Sequence, residues 1–229
     1  MNYKILNNNP IVLSNMEIPV QDILKALINT NKLLNKIYYE TENLGLNVFK
    51  VVDFRVFSGM IGEMFSKELE SINCNLIKNP YISGYPDLLQ VSTDEMYEYY
   101  KNCNNENLIK FKFGGVEVKN TFGTKKSKCN VLMGEKRILS INSKLDWKAH
   151  HRETNFLLGL LSDYINGIPQ IVSICYCDEL TIDDWNKKQN PKGDSAMTSF
   201  SAISPKGYRK MKSGIKICID KKEYLDFFR

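Results

Sequence analysis

The sequence predicts an α/β fold, a mixed β-sheet flanked by helices, and three observations carry that reading. Apolar residues recur at helical spacing over residues 20–39, where Ile23, Leu24, Leu27, Ile28, Leu34 and Ile37 share a face. In residues 115–121, alternation sends Val116 and Val118 to one side of a strand and Glu117 and Lys119 to the other. A continuous apolar run at 168–176 suits a strand buried on both faces of a parallel sheet. At 229 residues and 43% hydrophobic content, the chain is long enough for one domain with a sizeable core.

Taken in order, residues 1–19 are Asn-rich, interrupted by Pro10 and Pro19, and read as an arm or loop. Gly45 breaks the helical pattern that follows. Residues 48–56 are β-rich, and Ser58 is placed to N-cap a helix running to about Glu70. Segments 72–79 and 84–91 read as adjacent strands. Residues 93–101 read as an acidic helix whose Tyr97, Tyr99 and Tyr100 pack it on the sheet or stack on bases. The Gly114-Gly115 pair signals a hairpin turn, with residues 108–113 as its first arm. Over 147–166 the spacing of Phe156, Leu157, Leu160, Leu161, Tyr164 and Ile165 predicts a core helix that Gly167 ends. That helix would be the crossover between Glu117's strand and a parallel strand ending near Cys175. Residues 183–194 are polar and turn-rich, 206–212 form a basic helical stretch, and 215–219 a final strand. There are no internal repeats and no linker that would split the chain.

A formal net charge of +5 permits nucleic-acid binding without demanding it. No run of about 18 apolar residues exists, so no membrane span is expected. No signal-peptide stretch follows Met1. The six cysteines, Cys74, Cys103, Cys129, Cys175, Cys177 and Cys218, lack Cys-x-x-Cys spacing, so neither zinc nor a redox motif is implied and a cytoplasmic, reduced protein is expected.

The chemistry gathers in residues 84–121. Asp87 follows Pro86 at the head of an apolar run, and Glu117 and Lys119 point to one side of the next strand. Two carboxylates suit a hard cation such as Mg²⁺, and a lysine beside them can hold a phosphate oxygen or position a metal-activated water. That is a minimal kit for phosphodiester hydrolysis. Two other acid-x-Lys triplets, at 146–148 and 220–222, lack the apolar flanks and the preceding turn.

Pro86-Asp87 and Glu117-Val118-Lys119 resemble the signature of the PD-(D/E)XK nucleases. Their 30-position separation (117 − 87) is long for that family and calls for an insert near residues 92–106. Residues 59–65 look like the family's first core helix, with Glu63 at the position of an additional acid. Further likeness, to restriction enzymes of the ScaI family, lies in residues 150–155 (His-His-Arg-Glu-Thr-Asn), 157–161, Ile168-Pro169 and Asp183-Asp184-Trp185. The resemblance implies a restriction-endonuclease-like core and a type II enzyme acting as a homodimer on double-stranded DNA. The expected target is a short palindrome, AGTACT cut to blunt ends. Asp87, Glu117 and the Val118 carbonyl would hold Mg²⁺; Asp87, Glu117, Lys119 and Glu63 would be catalytic. The single domain would then divide into an N-terminal arm and helix (1–50), a catalytic core (54–180) and recognition and C-terminal elements (181–229). For the DNA path, the basic loop after Lys119 offers Asn120, Thr121, Lys125, Lys126 and Lys128, and residues 150–152 offer His150, His151 and Arg152 for phosphates or base edges. Asn190, Lys192 and Ser201 are of the types that read bases. Two other readings fit the same residues: a structure-specific repair or recombination nuclease, or a non-catalytic nucleic-acid-binding protein.

Overall fold

A computed structural model describes residues 1–82, 84–122, 147–149, 156–190 and 199–229. Among them, a mixed seven-stranded sheet is flanked by helices. Along the sheet the strands run β1 (Tyr3–Ile5), β11 (Ile215–Ile219), β9 (Ile168–Cys177), β8 (Leu157–Ile165), β6 (Gly115–Thr121), β5 (Leu88–Gln90) and β4 (Leu76–Lys78). Only β6 and β8 pair in parallel; the other neighbours in this sheet are antiparallel. Two short antiparallel pairs stand apart, β2 (Ile11–Val12) with β3 (Glu17–Ile18) and β7 (Lys148–Ala149) with β10 (Ser201–Ala202).

Helices α1 (Val20–Asn43) and α3 (Phe54–Ile72) cover one face of the sheet. Ile23, Leu27 and Leu34 of α1 and Ile61, Phe65 and Leu69 of α3 bury against Leu76, Leu88, Val116 and Val118. On the other face a second core gathers Leu157 and Leu161 with Trp147, Trp185, Ile203 and Met211. It receives α6 (Pro205–Ser213) and α7 (Lys222–Phe228), the latter a helix not anticipated from sequence. Gly159 makes that packing possible, because a Cβ there would lie 2.6 Å from Met211 Cε and 2.8 Å from Trp147 Cε2. Helices α4 (Asp94–Asn102) and α5 (Asn105–Ile109) form the insert between β5 and β6. Tyr99 packs there on Phe111 and Phe113.

Several expected elements are different. The arm is not free: Tyr3–Ile5 adds an edge strand to β11, and Tyr3 Oη donates to the Ile171 carbonyl at 2.8 Å. Residues 48–56 are not β. Asn47 accepts from the Lys50 N–H, starting α2 (Val48–Val51), and Asp53 accepts from the Arg55 N–H, starting α3. These local side-chain caps outweigh the β-propensity of the valines. Ser58 therefore lies inside α3 instead of capping it. Residues 108–113 do not form a hairpin arm either: α5 ends at Ile109, and Lys110 bridges Tyr85.

The largest correction concerns residues 147–166. The expected core helix is strand β8, hairpinned to β9 through Asn166 and Gly167, whose φ values are 52° and 81°. Two consecutive left-handed residues make a primed turn, which Asn-Gly favours and which matches strand twist. An apolar run such as Leu-Leu-Gly-Leu-Leu satisfies helical and strand periods alike; the turn decides. β9 is a buried strand as expected, but antiparallel to both neighbours.

Candidate functional site

The strand β6 carries the site. Its register places Glu117, Lys119 and Thr121 beside Leu157, Gly159 and Leu161 of β8, so these side chains share the face opposite α3. β5 pairs with β6 at Gly115 and Val116, opposite Leu89 and Leu88. Gly115 is required there, since at φ 149° a Cβ would lie 2.0 Å from the Leu88 carbonyl oxygen.

Asp87 stands at the point where β5 leaves β6. Its Oδ2 accepts from the Val118 N–H at 2.8 Å, replacing a ladder bond with a carboxylate. Buried Asn79 sets the approach: its N–H donates to the Asp87 carbonyl at 2.9 Å, and its Nδ2 donates to the carbonyls of Pro86 at 3.1 Å and Leu108 at 3.0 Å. The Tyr85–Pro86 peptide bond is cis. Sequence reasoning did not single out Asn79; its place just before Pro80 marked a turn and nothing more specific.

Lys119 brings the acids together. Its Nζ is 2.9 Å from Asp87 Oδ2 and 2.7 Å from Glu117 Oε1, while Glu117 Oε2 accepts the Asp87 N–H at 3.2 Å. The Glu117 side chain is 3% exposed, against 27% for Asp87 and 21% for Lys119. Burial, then the charge of Asp87, pushes the Glu117 carboxyl up to about 7, with Lys119 opposing. Burial pulls the Lys119 ammonium down, but Asp87 and Glu117 more than offset it and leave it above the ordinary lysine value. Once both acids are ionised they share one cation, and a negative charge is in excess.

The donor set fits a hard cation. Asp87 and Glu117 offer carboxylate oxygens, and the space between them already accepts a positive charge, that of Lys119. The Val118 carbonyl points the same way along the sheet as its N–H, toward Asp87. Among the described residues no group of three or more His, Cys, Asp or Glu side chains is placed to hold a metal. Any ion here relies on two carboxylates, a carbonyl and water or phosphate.

The other expected site residues fare differently. Glu63 is not with Asp87. It projects from α3, on the opposite face of the sheet, is 64% exposed, and pairs with Lys78 Nζ at 2.6 Å. Asn120 faces away from Lys119, and its side chain bonds to Ser58 and Ser162 instead of solvent. Thr121 is buried at the end of β6. Ser201 is buried on β10 and presents no hydroxyl to a base edge. Asn190 is exposed and accepts from Ser199 Oγ at 2.7 Å. Lys125, Lys126, Lys128, His150, His151, Arg152 and Lys192 lie outside the described residues. Among the described residues no helix is long and apolar enough to cross a membrane.

No protein-family model matches this chain, and neither the curated proteins nor the solved structures searched gave a match.

Proposed function

We propose that the protein is a type II restriction endonuclease of the PD-(D/E)XK kind, a Mg²⁺-dependent, cytoplasmic phosphodiesterase that cuts double-stranded DNA at a short palindrome. The observation that carries this reading is the meeting of Asp87, Glu117 and Lys119 on one face of the sheet, from positions 30 residues apart in sequence. The mixed sheet flanked by helices is compatible with the core such enzymes use. AGTACT is the narrowest form of the proposed target and rests on the sequence resemblance alone.

Asp87, Glu117 and the Val118 carbonyl would hold the ion. When bound, Mg²⁺ supplies Lewis acidity toward the scissile phosphate and a water of lowered pKa. Lys119, released from one of its carboxylates, donates to the phosphate or orients the attacking water and stabilises charge as it develops. Glu117, held up to about 7, must give up its proton before it can ligate, so ion binding and proton release are linked. One such cluster makes one cut. Breaking both strands of a palindrome takes two-fold related copies, so the active species is a homodimer.

The test is incubation of plasmid DNA with the protein and Mg²⁺, followed by sequencing of the ends. Discrete bands with a common end sequence are expected, none in EDTA, and light scattering with cognate DNA should report a dimer. A metal-dependent smear would favour a structure-specific nuclease, and no metal-dependent cleavage would leave only a binding protein.

A further inference from the structure

We infer that Ser58 and Asn120 are positioning residues that fix the catalytic strand from the back of the sheet. The kinetic and Mn²⁺ arms of the test rest on the nuclease reading; the exchange arm does not. Beyond Val116, β6 has lost β5, and side chains meet its outer edge in place of a strand. Asp87 Oδ2 takes the Val118 N–H, and Ser58 Oγ donates to the Asn120 carbonyl at 2.9 Å. The Asn120 amide completes a bridge. Its Nδ2 donates to the Ser58 carbonyl at 3.3 Å and to Ser58 Oγ at 3.4 Å, while its Oδ1 accepts from Ser162 Oγ at 2.8 Å. Ser162 is fully buried on β8, where the pairing with β9 shifts register.

Three elements, α3, β6 and β8, are therefore tied together at the residue after Lys119. Strand alternation puts the bridge on the opposite face from Lys119, so it touches neither the reacting groups nor a substrate lying over them. Its role follows from what Asp87 has to do. The same Oδ2 holds the Val118 N–H and the Lys119 ammonium, and both bonds weaken when that carboxylate turns to a metal ion. Ser58 and Asn120 hold the strand without drawing on Asp87, so Glu117 and Lys119 keep their places while it changes partner.

The experiment compares wild type with Ser58→Ala, Asn120→Ala and Ser58→Thr, which keeps the hydroxyl. In metal-free protein, hydrogen–deuterium exchange across residues 115–121 should quicken in both alanine variants and stay unchanged across 168–177. Mn²⁺ affinity, measured by calorimetry, should fall several-fold, because the two carboxylates no longer keep a fixed spacing. On DNA, kcat should drop about tenfold with KM within about twofold, a small displacement of positioned groups being costly to rate. Ser58→Thr should restore all three. Unchanged exchange and Mn²⁺ affinity in both alanine variants overturn the inference. So does a raised KM with intact kcat in Asn120→Ala, which would make Asn120 a DNA contact. If Asn120→Ala fails to fold, Ser58→Ala decides. Should wild type not cleave DNA at all, the nuclease reading fails, and exchange across residues 115–121 still decides the positioning role.

Discussion

Two buried carboxylate–lysine clusters in this molecule use the same ingredients to opposite ends. Glu117 lies against Lys119 Nζ at 2.7 Å, and Asp184, 0% exposed, lies against Lys210 Nζ at 2.8 Å. Yet Glu117 is pushed up to about 7, whereas Asp184 is held below its ordinary value. Burial raises both. At Asp184 it is outweighed by donors converging on one acid: Lys210, then the Thr181 N–H at 2.8 Å and its hydroxyl at 3.1 Å. Lys210 is itself held further by the Glu179 carbonyl at 2.7 Å. At Glu117 a second acid stands in the place of those donors. A single acid whose one oxygen gathers three donors is a clamp, here fastening α6 to the 3₁₀ turn Ile182–Asp184. Two acids sharing one ammonium are short of positive charge, and such a cluster can take up a cation.

The largest expected difference is catalytic. Asp87→Ala and Lys119→Ala should each lower the single-turnover cleavage rate at least about 10³-fold with the fold intact by circular dichroism. Asp184→Asn should leave the rate per folded molecule unchanged. A folded Asp184→Asn protein as dead as Asp87→Ala would erase the contrast between site and clamp.

A second, smaller effect sharpens the assignment of Lys119. Removing its ammonium frees both carboxylates, so Lys119→Ala should bind Ca²⁺ about tenfold more tightly although it cannot cleave. In EDTA the same variant should bind DNA about tenfold more weakly, while Asp87→Ala binds at least as well as wild type. Unit charges about 4 Å apart at an effective dielectric near 20 interact by roughly 4 kcal/mol before relaxation and screening reduce it. Calorimetry and gel shifts read the two effects, and equal losses of DNA binding in both variants would make Asp87 structural. Third, Asp184→Asn should lower Tm by about 5 °C through lost hydrogen bonds, without changing Ca²⁺ affinity.

How legible all this was in the sequence depended on the range of the interactions. Helices α1, α4 and α6 were readable because the spacing and composition that mark a helix act within a few residues. Glu117 and Lys119 were readable as a pair because alternation fixes their face. That Asp87 joins them was readable only through a motif, since the join depends on Asn79 and on the departure of β5 from β6. The strand at 157–165 was misread although its signal was present, in Asn166-Gly167, because a uniformly apolar run carries no decisive period. The partner of Glu63 was not legible. Whether a helical acid turns to the site or to Lys78 depends on where β4 lies, and no local pattern encodes that. The partners of Asn120 were not legible for a similar reason: a polar residue at the end of a strand looks exposed until α3 is packed behind it.

The last contrast is the pH dependence of stability, and the two clusters should differ there in sign. Folding raises the Glu117 pKa from 4.5 to about 7, so between those values the folded protein holds a proton that the unfolded chain has released. Its contribution to stability is therefore complete below about pH 4.5 and is lost as pH rises through about 7. Asp184 runs the other way: its pKa is depressed from 3.8, so its contribution is present above that value and is lost only on acidification. In EDTA, raising the pH from 5 to 7.5 should lower the urea midpoint of wild type by about 1 M more than that of Glu117→Gln, which cannot ionise at that position. Asp184→Asn should track wild type over this window and draw level with it in stability only in acid. Saturating Ca²⁺ should cancel the wild-type loss, because the ion stabilises the ionised carboxylate that high pH produces. Equal slopes for wild type and Glu117→Gln in EDTA would mean that Glu117 already ionises at its ordinary pKa. The crowded pair of acids would then not exist in the metal-free protein, and the contrast with Asp184 would fail at its root.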